Sequence, residues 1–290
     1  MLYLIVTILT ATAILLVFKI AGKYNANNLH IITINYFVAA CLGMVISVVN
    51  GADILYTNYN WFNWSIGYGI FFILGFLLFG YSTQKSGLTA TAISSRVSVI
   101  IPVILGFIFF EEIITNTIIC GILAAIIALV LINLPSKSKS LSTQNQKNTK
   151  TVLVMLLPIF LFFGIGANDS MIKAAQYFLI KNNDYSEFIS SCFIFSTLGG
   201  LAIMLFSKKL KISLPSIIIG SILGIINYVN FSFLLIGLSK MNVSVFMPIY
   251  NIGVVVLSSL IGVIIYREKL SKINIIGIFI SVLAIILLMI

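Results

Sequence analysis

Ten uninterrupted apolar stretches, each about as long as the hydrocarbon core of a bilayer is thick, dominate this chain. A helix needs roughly 20 apolar residues to span that core. Strands of a membrane barrel would instead alternate apolar and polar residues. The sequence therefore predicts an all-α integral membrane protein with ten transmembrane helices. The predicted spans cover residues 2–18, 30–49, 62–81, 89–110, 117–134, 152–172, 187–206, 215–236, 243–266 and 273–290.

The composition leaves no room for a soluble domain. Of the 290 residues, 60% are hydrophobic and only 8% are charged, which is too little charge to cover a soluble surface. The formal net charge of +10 would suggest nucleic acid as the partner of a soluble protein. Here the cations lie mainly in the loops, as membrane orientation demands. The expected partners are therefore the lipid bilayer and a small-molecule substrate, with no nucleic acid.

The chain repeats itself across one polar linker, residues 135–150. That linker separates two halves, residues 1–134 and 151–290, with five predicted spans each. Six anchors align between the halves at an offset of 154 to 156 residues: Lys19 with Lys173, Gly43 with Gly199, Lys85 with Lys240, Gly106 with Gly262, Glu112 with Glu268, and Gly121 with Gly277. Because an odd number of spans forces the second half to enter from the opposite face, we expect an inverted-topology repeat, as in secondary transporters.

Loop charges predict an orientation. Thirteen Lys and Arg residues lie in the odd-numbered connections and the linker, and two lie in the even-numbered ones. Cations gather on the cytoplasmic side of a membrane protein. The count predicts odd-numbered loops in the cytoplasm and both termini outside.

Two long motifs carry a family resemblance: "PVILGFIFFEEIITNTIICGILAAIIALVLI" and "SSLIGVIIYREKLSKINIIGIFISVLAIIL". They are similar to the helix–Glu–turn–Gly–helix signature that closes each half of EamA-type members of the drug/metabolite transporter superfamily. "INYFVAACLGM" and "GIGANDSMIKAAQ" also resemble segments of such transporters. The resemblance implies two inverted five-helix halves around a central cavity, with alternating access for small metabolites. Many members of the family have both termini in the cytoplasm, opposite to the orientation that the loop charges predict.

Arg96 is the strongest candidate for a substrate-binding residue. It lies about seven residues into the fourth predicted span, roughly 10 Å deep at the rise of an α-helix. Ionisable groups at such depth are costly and usually functional. With Ser95 beside it, Arg96 has the chemistry to hold a carboxylate or phosphate. The alternative is a guanidinium that snorkels to the interface.

Polar residues in two later spans are further substrate-binding candidates. An Asn in hydrocarbon needs a partner, which is either another helix or a substrate. A proline such as Pro248 removes one helical hydrogen bond and can break a span next to a cavity. The pattern is equally compatible with two roles for these residues: they line the cavity, or they bond one helix to another. The residues are Asn227, Tyr228, Asn230, Tyr250 and Asn251.

Asp169 and Lys173 lie one helical turn apart in the sixth span, at a spacing that lets two side chains touch. An ion pair at the membrane interface is one interpretation. A role for Asp169 in gating or proton coupling is the other.

A further set of residues belongs to the repeated signature and is expected to be structural. A carboxylate at the turn before a helix favours the positive end of that helix dipole, so each signature Glu is expected to stabilise the helix that follows it. The set is Glu112, Glu268, Gly121, Gly277, Pro102 and Pro248.

The pattern favours a secondary transporter of a small metabolite, anionic or zwitterionic, in the cytoplasmic (inner) membrane. A membrane enzyme built from scattered polar residues and a channel-like pore are the alternatives. One His and no Cys cluster argue against a zinc site, and we expect no metal, no other cofactor and no enzymatic activity. The protein is expected to be a monomer or a homodimer.

Overall fold

The computed structural model describes residues 1–24, 26–51, 59–86, 88–113, 115–134, 152–180, 184–208, 211–266 and 271–289. Regular secondary structure in these ranges is entirely helical. A 3₁₀ turn, Gly22–Tyr24, follows the first helix, and a π-helical turn, Ala175–Leu179, follows the seventh. The α-helices are α1 Leu2–Ala21, α2 Asn28–Val49, α3 Phe62–Lys85, α4 Leu88–Val97, α5 Ile100–Phe109, α6 Asn116–Asn133, α7 Val152–Ala174, α8 Tyr185–Phe206, α9 Leu214–Lys240, α10 Val243–Tyr266 and α11 Lys272–Met289.

Among the described residues, ten helical segments are long and apolar enough to cross a membrane, which confirms the predicted all-α fold with ten spans. The fourth span is broken at Ser98 and Val99 into α4 and α5. Pro102 explains the position of the break, because it has no N–H to donate to the carbonyl of Ser98 four residues earlier. The corresponding expectation for Pro248 differs from the structure, since α10 continues through that residue without interruption.

The chain forms two compact units, and both combine helices from the two halves of the sequence. Unit 1 is Met1–Leu74 with Met171–Lys240, and unit 2 is Gly75–Ser170 with Met241–Ile290. The chain passes from one unit to the other three times: inside α3, inside α7, and between α9 and α10. The division into residues 1–134 and 151–290 thus remains a prediction about the sequence repeat, and the linker lies outside the described residues.

In unit 1, α2 packs closely against α8 because small residues face each other at both ends of the contact. A Cβ atom on Gly43 would lie 2.8 Å from Ser190 Cβ, and one on Gly200 would lie 2.6 Å from Thr33 Oγ1. An aromatic cluster fills the space beside them, with the ring of Tyr36 5.4 Å from that of Phe72. Small residues that allow close backbone approach are the usual basis of helix packing in membranes.

In unit 2, the signature glycines Gly121 and Gly277 allow α6 and α11 to pack antiparallel. A Cβ on Gly121, near the start of α6, would lie 2.9 Å from Leu288 Cγ near the end of α11. One on Gly277, near the start of α11, would lie 2.8 Å from Ile132 Cγ1 near the end of α6. Each signature Gly is therefore a packing residue. It lies near the start of its own helix and makes room for the end of the other helix.

Replacing Gly277 with Ala is expected to destabilise the protein by about 1–3 kcal/mol, the usual cost of overpacking. The added methyl group would lie 2.9 Å from the backbone nitrogen of Ile132, so the two helices would have to separate. Thermal denaturation of the purified protein in detergent measures the effect. Gly67→Ala in α3 is the matched control, because a Cβ there has no neighbour within 4 Å. Equal denaturation temperatures for the two variants would contradict the packing role.

Candidate functional site

Arg96 lies in the last turn of α4, directly before the break in the fourth span. Its side chain is partly buried. The Nη1 group donates a hydrogen bond of 2.9 Å to Asn251 Oδ1, which joins α4 to α10 within unit 2. The structure thus brings together two of the predicted substrate-binding residues that are 155 positions apart in the chain.

Asn251 holds a fixed orientation towards the guanidinium. Its side chain is 6% exposed, and its Nδ2 donates to Met247 O at 3.1 Å, so its Oδ1 is left to accept from Arg96. A guanidinium has five N–H donors. Within the described ranges the protein supplies one hydrogen-bond partner to this guanidinium, Asn251. The remaining donors of Arg96 have no hydrogen-bond partner among the described residues, and their planar arrangement matches a carboxylate or phosphate.

A carboxylate and a phenol lie within electrostatic range of Arg96. They belong to Asp169 on α7 and Tyr250 on α10. No guanidinium nitrogen of Arg96 lies within 4.0 Å of a carboxylate oxygen of Asp169 in the described structure. Asn168 directly precedes Asp169 in α7. Its own Oδ1 is buried and has no hydrogen-bond partner among the described residues.

The irregular turn after Arg96 leaves little of the first turn of α5 open to a ligand. Ile101 N donates to Ser98 O at 2.9 Å and Val103 N to Val99 O at 3.3 Å, and Pro102 has no N–H. Ser95, expected to assist Arg96, donates its hydroxyl to Ala92 O at 2.9 Å. Because a hydroxyl has one donor, Ser95 in this structure offers an anion no hydrogen bond.

The candidate residues of α9 lie in unit 1, where each is bonded to a neighbouring helix. Asn227 Nδ2 donates to Asn35 Oδ1 at 3.2 Å, and Tyr228 OH donates to Ser186 Oγ at 3.2 Å. Asn230 Nδ2 donates to Thr7 O at 2.9 Å. These contacts favour bonding between helices, which was one of the two interpretations of their pattern.

Lys173 also belongs to unit 1, whereas Asp169 belongs to unit 2. The Lys173 side chain is 6% exposed, and its Nζ donates to Leu238 O at 2.7 Å and to Gln176 Oε1 at 3.0 Å. Leu238 lies in the last turn of α9, where a cation compensates the negative end of the helix dipole. Lys173 therefore caps α9, and its pairing with Asp169 remains a prediction.

Glu112 caps α10, not the following helix α6 for which it was expected. Its carboxylate accepts hydrogen bonds from the backbone N–H of Val243, at 2.5 Å, and of Ser244, at 3.0 Å. These are the first two residues of α10, whose N–H groups have no partner inside the helix. Thr115 caps α6 instead, by accepting from Ile118 N at 3.3 Å.

The chain around Glu112 is shaped for this long-range contact. Glu111 adopts φ 54°, a left-handed conformation that turns the chain back at the end of α5. A Cβ on Gly106 would lie 2.7 Å from Val243 Cγ1 and 2.9 Å from Glu112 Oε2. The signature Gly106 therefore makes room for the signature Glu112. Glu268, the equivalent in the second half, lies outside the described residues.

Asn168 was not among the candidates drawn from the sequence. The sequence indicates Asn168 only as the first residue of the polar pair "ND" inside an apolar span, and the candidate in that pair is Asp169. Burial of one amide oxygen depends on how α7 packs, and no spacing in the sequence contains that information. Among the described residues, no group of three or more His, Cys, Asp and Glu side chains is arranged to hold a metal ion.

In a comparison with known protein families, residues 1–134 match the EamA-like transporter family. An uncharacterized protein of Haemophilus influenzae is 27% identical over 293 residues, which cover 97% of this chain and 95% of that protein. A protein of known crystal structure superposes with a TM-score of 0.79 at 14% identity, over 99% of this chain and 94% of the other. That likeness concerns the fold alone.

Proposed function

We propose that the protein is a secondary transporter, because residues 1–134 match the EamA-like transporter family. It moves a small metabolite carrying a carboxylate or phosphate by alternating access across the cytoplasmic membrane. Ten apolar spans and the excess of cations in the odd-numbered loops support a multi-pass protein in that membrane.

The incomplete coordination of Arg96 is the observation that carries this proposal. A charged side chain within a span is costly, and Asn251 satisfies only one N–H group of the guanidinium among the described residues. A substrate carboxylate or phosphate would take two further donors in a bidentate arrangement.

The discontinuous fourth span supports a transport role for this position. Transporters commonly place substrate and ion sites where a membrane helix is interrupted, because the free ends of the half-helices face the ligand. Arg96 lies in the last turn of α4, next to the irregular turn at Ser98 and Val99 that separates α4 from α5. Reorientation of the helices that hold Arg96 and Asn251 would then expose the bound anion to either side of the membrane.

Transport can be tested in two steps. A thermal-shift screen of the purified protein against amino acids, nucleotides, sugar phosphates and other organic acids should return a stabilising ligand, because a ligand that binds only the folded state raises stability. Proteoliposomes loaded with that ligand should then take up its radiolabelled form against a concentration gradient.

Such counterflow separates a transporter from the two other classes. A carrier shows saturation and acceleration by ligand on the opposite side, whereas a channel-like pore shows neither. Release of a chemically altered product from the detergent-solubilised protein would identify an enzyme. Non-saturable flux or product formation would contradict the proposed function.

A further inference from the structure

Two connections of unit 1, the one between α1 and α2 and the one between α8 and α9, lie at the same end of that unit. Ala21 at the end of α1, Ile31 near the start of α2 and Leu223 in the first half of α9 form one buried core cluster. The end of α8 lies beside the start of α2, because Gly200 of α8 packs against Thr33 of α2. This end of unit 1 is therefore built from the residues that flank both connections.

A cavity of about 360 Å³ opens at this end, where the 3₁₀ turn after α1 meets the first turns of α9. Its lining side chains are aliphatic apart from that of Tyr24. Leu214 is 68% exposed and Ile218 is 53% exposed, so the described chain leaves much of both side chains uncovered. Apolar surface gains free energy when an apolar group covers it, which makes the cavity suited to a hydrocarbon chain. The lining residues are Tyr24, Leu214, Pro215, Ile218 and Ile219.

The chain segments that line this cavity also carry cations. Lys19 lies in the last turn of α1, five residues before Tyr24. Lys208 follows the end of α8, and Lys211 lies in the same connection, three residues before Leu214. All three Lys side chains are exposed. Because three residues span at most about 10 Å, the ammonium group of Lys211 can reach an anion at the mouth of the cavity.

The sequence at this end supplies cations but no acids, since residues 1–52 and 188–240 contain no Asp or Glu. The acidic residues of unit 1 that the structure describes, Asp184 and Glu187, lie at the start of α8. At about 1.5 Å per residue, that is roughly 30 Å from the end of α8, a distance at which salt screens surface charges. This end of unit 1 therefore presents a positive potential to an anion.

A phospholipid combines the two chemistries that meet here. Its acyl chains match an apolar cavity, and its phosphate lies at the depth where exposed Lys and Tyr side chains at the ends of spans also lie. A soluble phosphate would contact the cations but leave the cavity empty. A zwitterionic phospholipid would fill the cavity, but its own ammonium group would face the lysines. An anionic phospholipid fits both parts, since a basic pocket between membrane helices attracts anionic headgroups.

We propose that this end of unit 1 binds one anionic phospholipid, whose acyl chain occupies the cavity beside Tyr24 and Ile218 and whose phosphate contacts Lys208 and Lys211. Lys19 adds to the positive potential from the side of α1. The inference goes beyond transport, because it concerns a lipid that stays bound and involves no residue of the proposed substrate site. A ligand that binds the folded protein stabilises it, so the stability of this protein should depend on the charge of the lipid around it.

The test compares two lipids with the same chains and different headgroups. Dioleoylphosphatidylglycerol is anionic and dioleoylphosphatidylcholine is zwitterionic, and each is titrated into the full-length purified protein in detergent. Native mass spectrometry resolves the complexes with one, two and more bound lipids, and it gives the dissociation constant of the first. The first phosphatidylglycerol is expected to bind about 25-fold more tightly than the first phosphatidylcholine, from about fivefold for each of two lysines near a membrane surface.

Lys208→Gln combined with Lys211→Gln is expected to reduce this preference to about fivefold or less. The matched control is Lys85→Gln combined with Lys272→Gln. It removes the same number of charges from exposed positions in unit 2, so the preference should remain that of the wild type.

A second variant tests the cavity independently of the charges. Ile218→Trp places a larger side chain in the cavity and is expected to weaken binding of the first phosphatidylglycerol by about 10-fold, as the loss of contact with about two methylene groups would. Ile222→Trp is the control, because Ile222 is 48% exposed one turn further along α9 and does not line the cavity.

Glycerol 3-phosphate, which carries a phosphate without acyl chains, tests the other source of the anion. Full displacement of the first phosphatidylglycerol by this compound would overturn the lipid as the occupant. Equal binding of the two lipids by the wild type would overturn recognition of the headgroup. Undiminished preference in the double Lys variant, together with undiminished binding in Ile218→Trp, would overturn the location of the site. None of these measurements needs a transported substrate, so each of these failures would leave the proposed function standing.

Discussion

Replacing Arg96 with Gln is expected to lower ligand uptake by about 100-fold, equivalent to about 3 kcal/mol. The variant retains a hydrogen-bonding amide close to Asn251 but loses the positive charge and the planar pair of donors. A carboxylate or phosphate that enters the site then has no counter-charge in the interior of the membrane. Uptake of the ligand found by thermal shift, in proteoliposomes with matched amounts of protein, measures the loss.

Two comparisons make this result specific to the guanidinium. Arg96→Lys keeps the charge but loses the bidentate geometry, so it should retain partial binding, between the wild type and Arg96→Gln. Lys85→Gln removes another cation of unit 2, an exposed one at the end of α3, and should transport normally. Full uptake by Arg96→Gln would mean that the side chain merely snorkels to the interface.

The sequence was sufficient for the parts of the fold that depend on hydropathy along one segment. Each span could be predicted because a bilayer requires a continuous apolar stretch of set length. The break in the fourth span was not predicted. Pro102 and Pro248 both lie in apolar spans, but only the first interrupts its helix. Whether a helix continues through a proline depends on packing around the carbonyl that the proline leaves free.

The types of residue in the candidate site could be predicted from the sequence, but the contacts between them could not. Depth in a span singled out Arg96, because the cost of a buried charge follows from its position in the chain. The sequence left open which residues from other helices accompany it. Asn251 was among the candidates, yet its bond to Arg96 bridges two halves of the chain. Long-range contacts of this kind depend on how the helices pack, and a single sequence does not encode that arrangement in any local pattern.

The repeated Glu illustrates the same limit. Its place before a helix suggested local capping, but the left-handed turn at Glu111 directs the next carboxylate to α10, in the other half of the sequence. The repeat gains a physical meaning from this contact. A signature residue in the first half stabilises the start of a helix in the second, which also carries Tyr250 and Asn251.

Replacing Glu112 with Gln is expected to destabilise unit 2 by about 3 kcal/mol, because hydrogen bonds to a buried charged acceptor contribute about 1.5–3 kcal/mol each. The Glu112 side chain is 7% exposed. The amide of Gln retains one acceptor and turns an N–H₂ group towards the second backbone N–H of α10. The favourable interaction of a carboxylate with the helix dipole is also lost. Thermal denaturation in detergent, followed by circular dichroism or aggregation, measures the change.

Glu111→Gln provides the control, since it removes a carboxylate from the adjacent position, where the side chain is exposed, and should leave stability within about 0.5 kcal/mol of the wild type. Ser244→Ala changes a residue whose backbone N–H bonds to Glu112. The Ser244 hydroxyl is fully buried without a hydrogen bond among the described residues, so its removal should be neutral or stabilising.

If Glu112→Gln were as stable as Glu111→Gln, the carboxylate would not hold the start of α10. The position of Asn251, two helical turns further along α10, would then need another explanation. A destabilised Glu112→Gln that also binds the ligand weakly would instead connect the signature residue to the site of Arg96 through the helix that it caps.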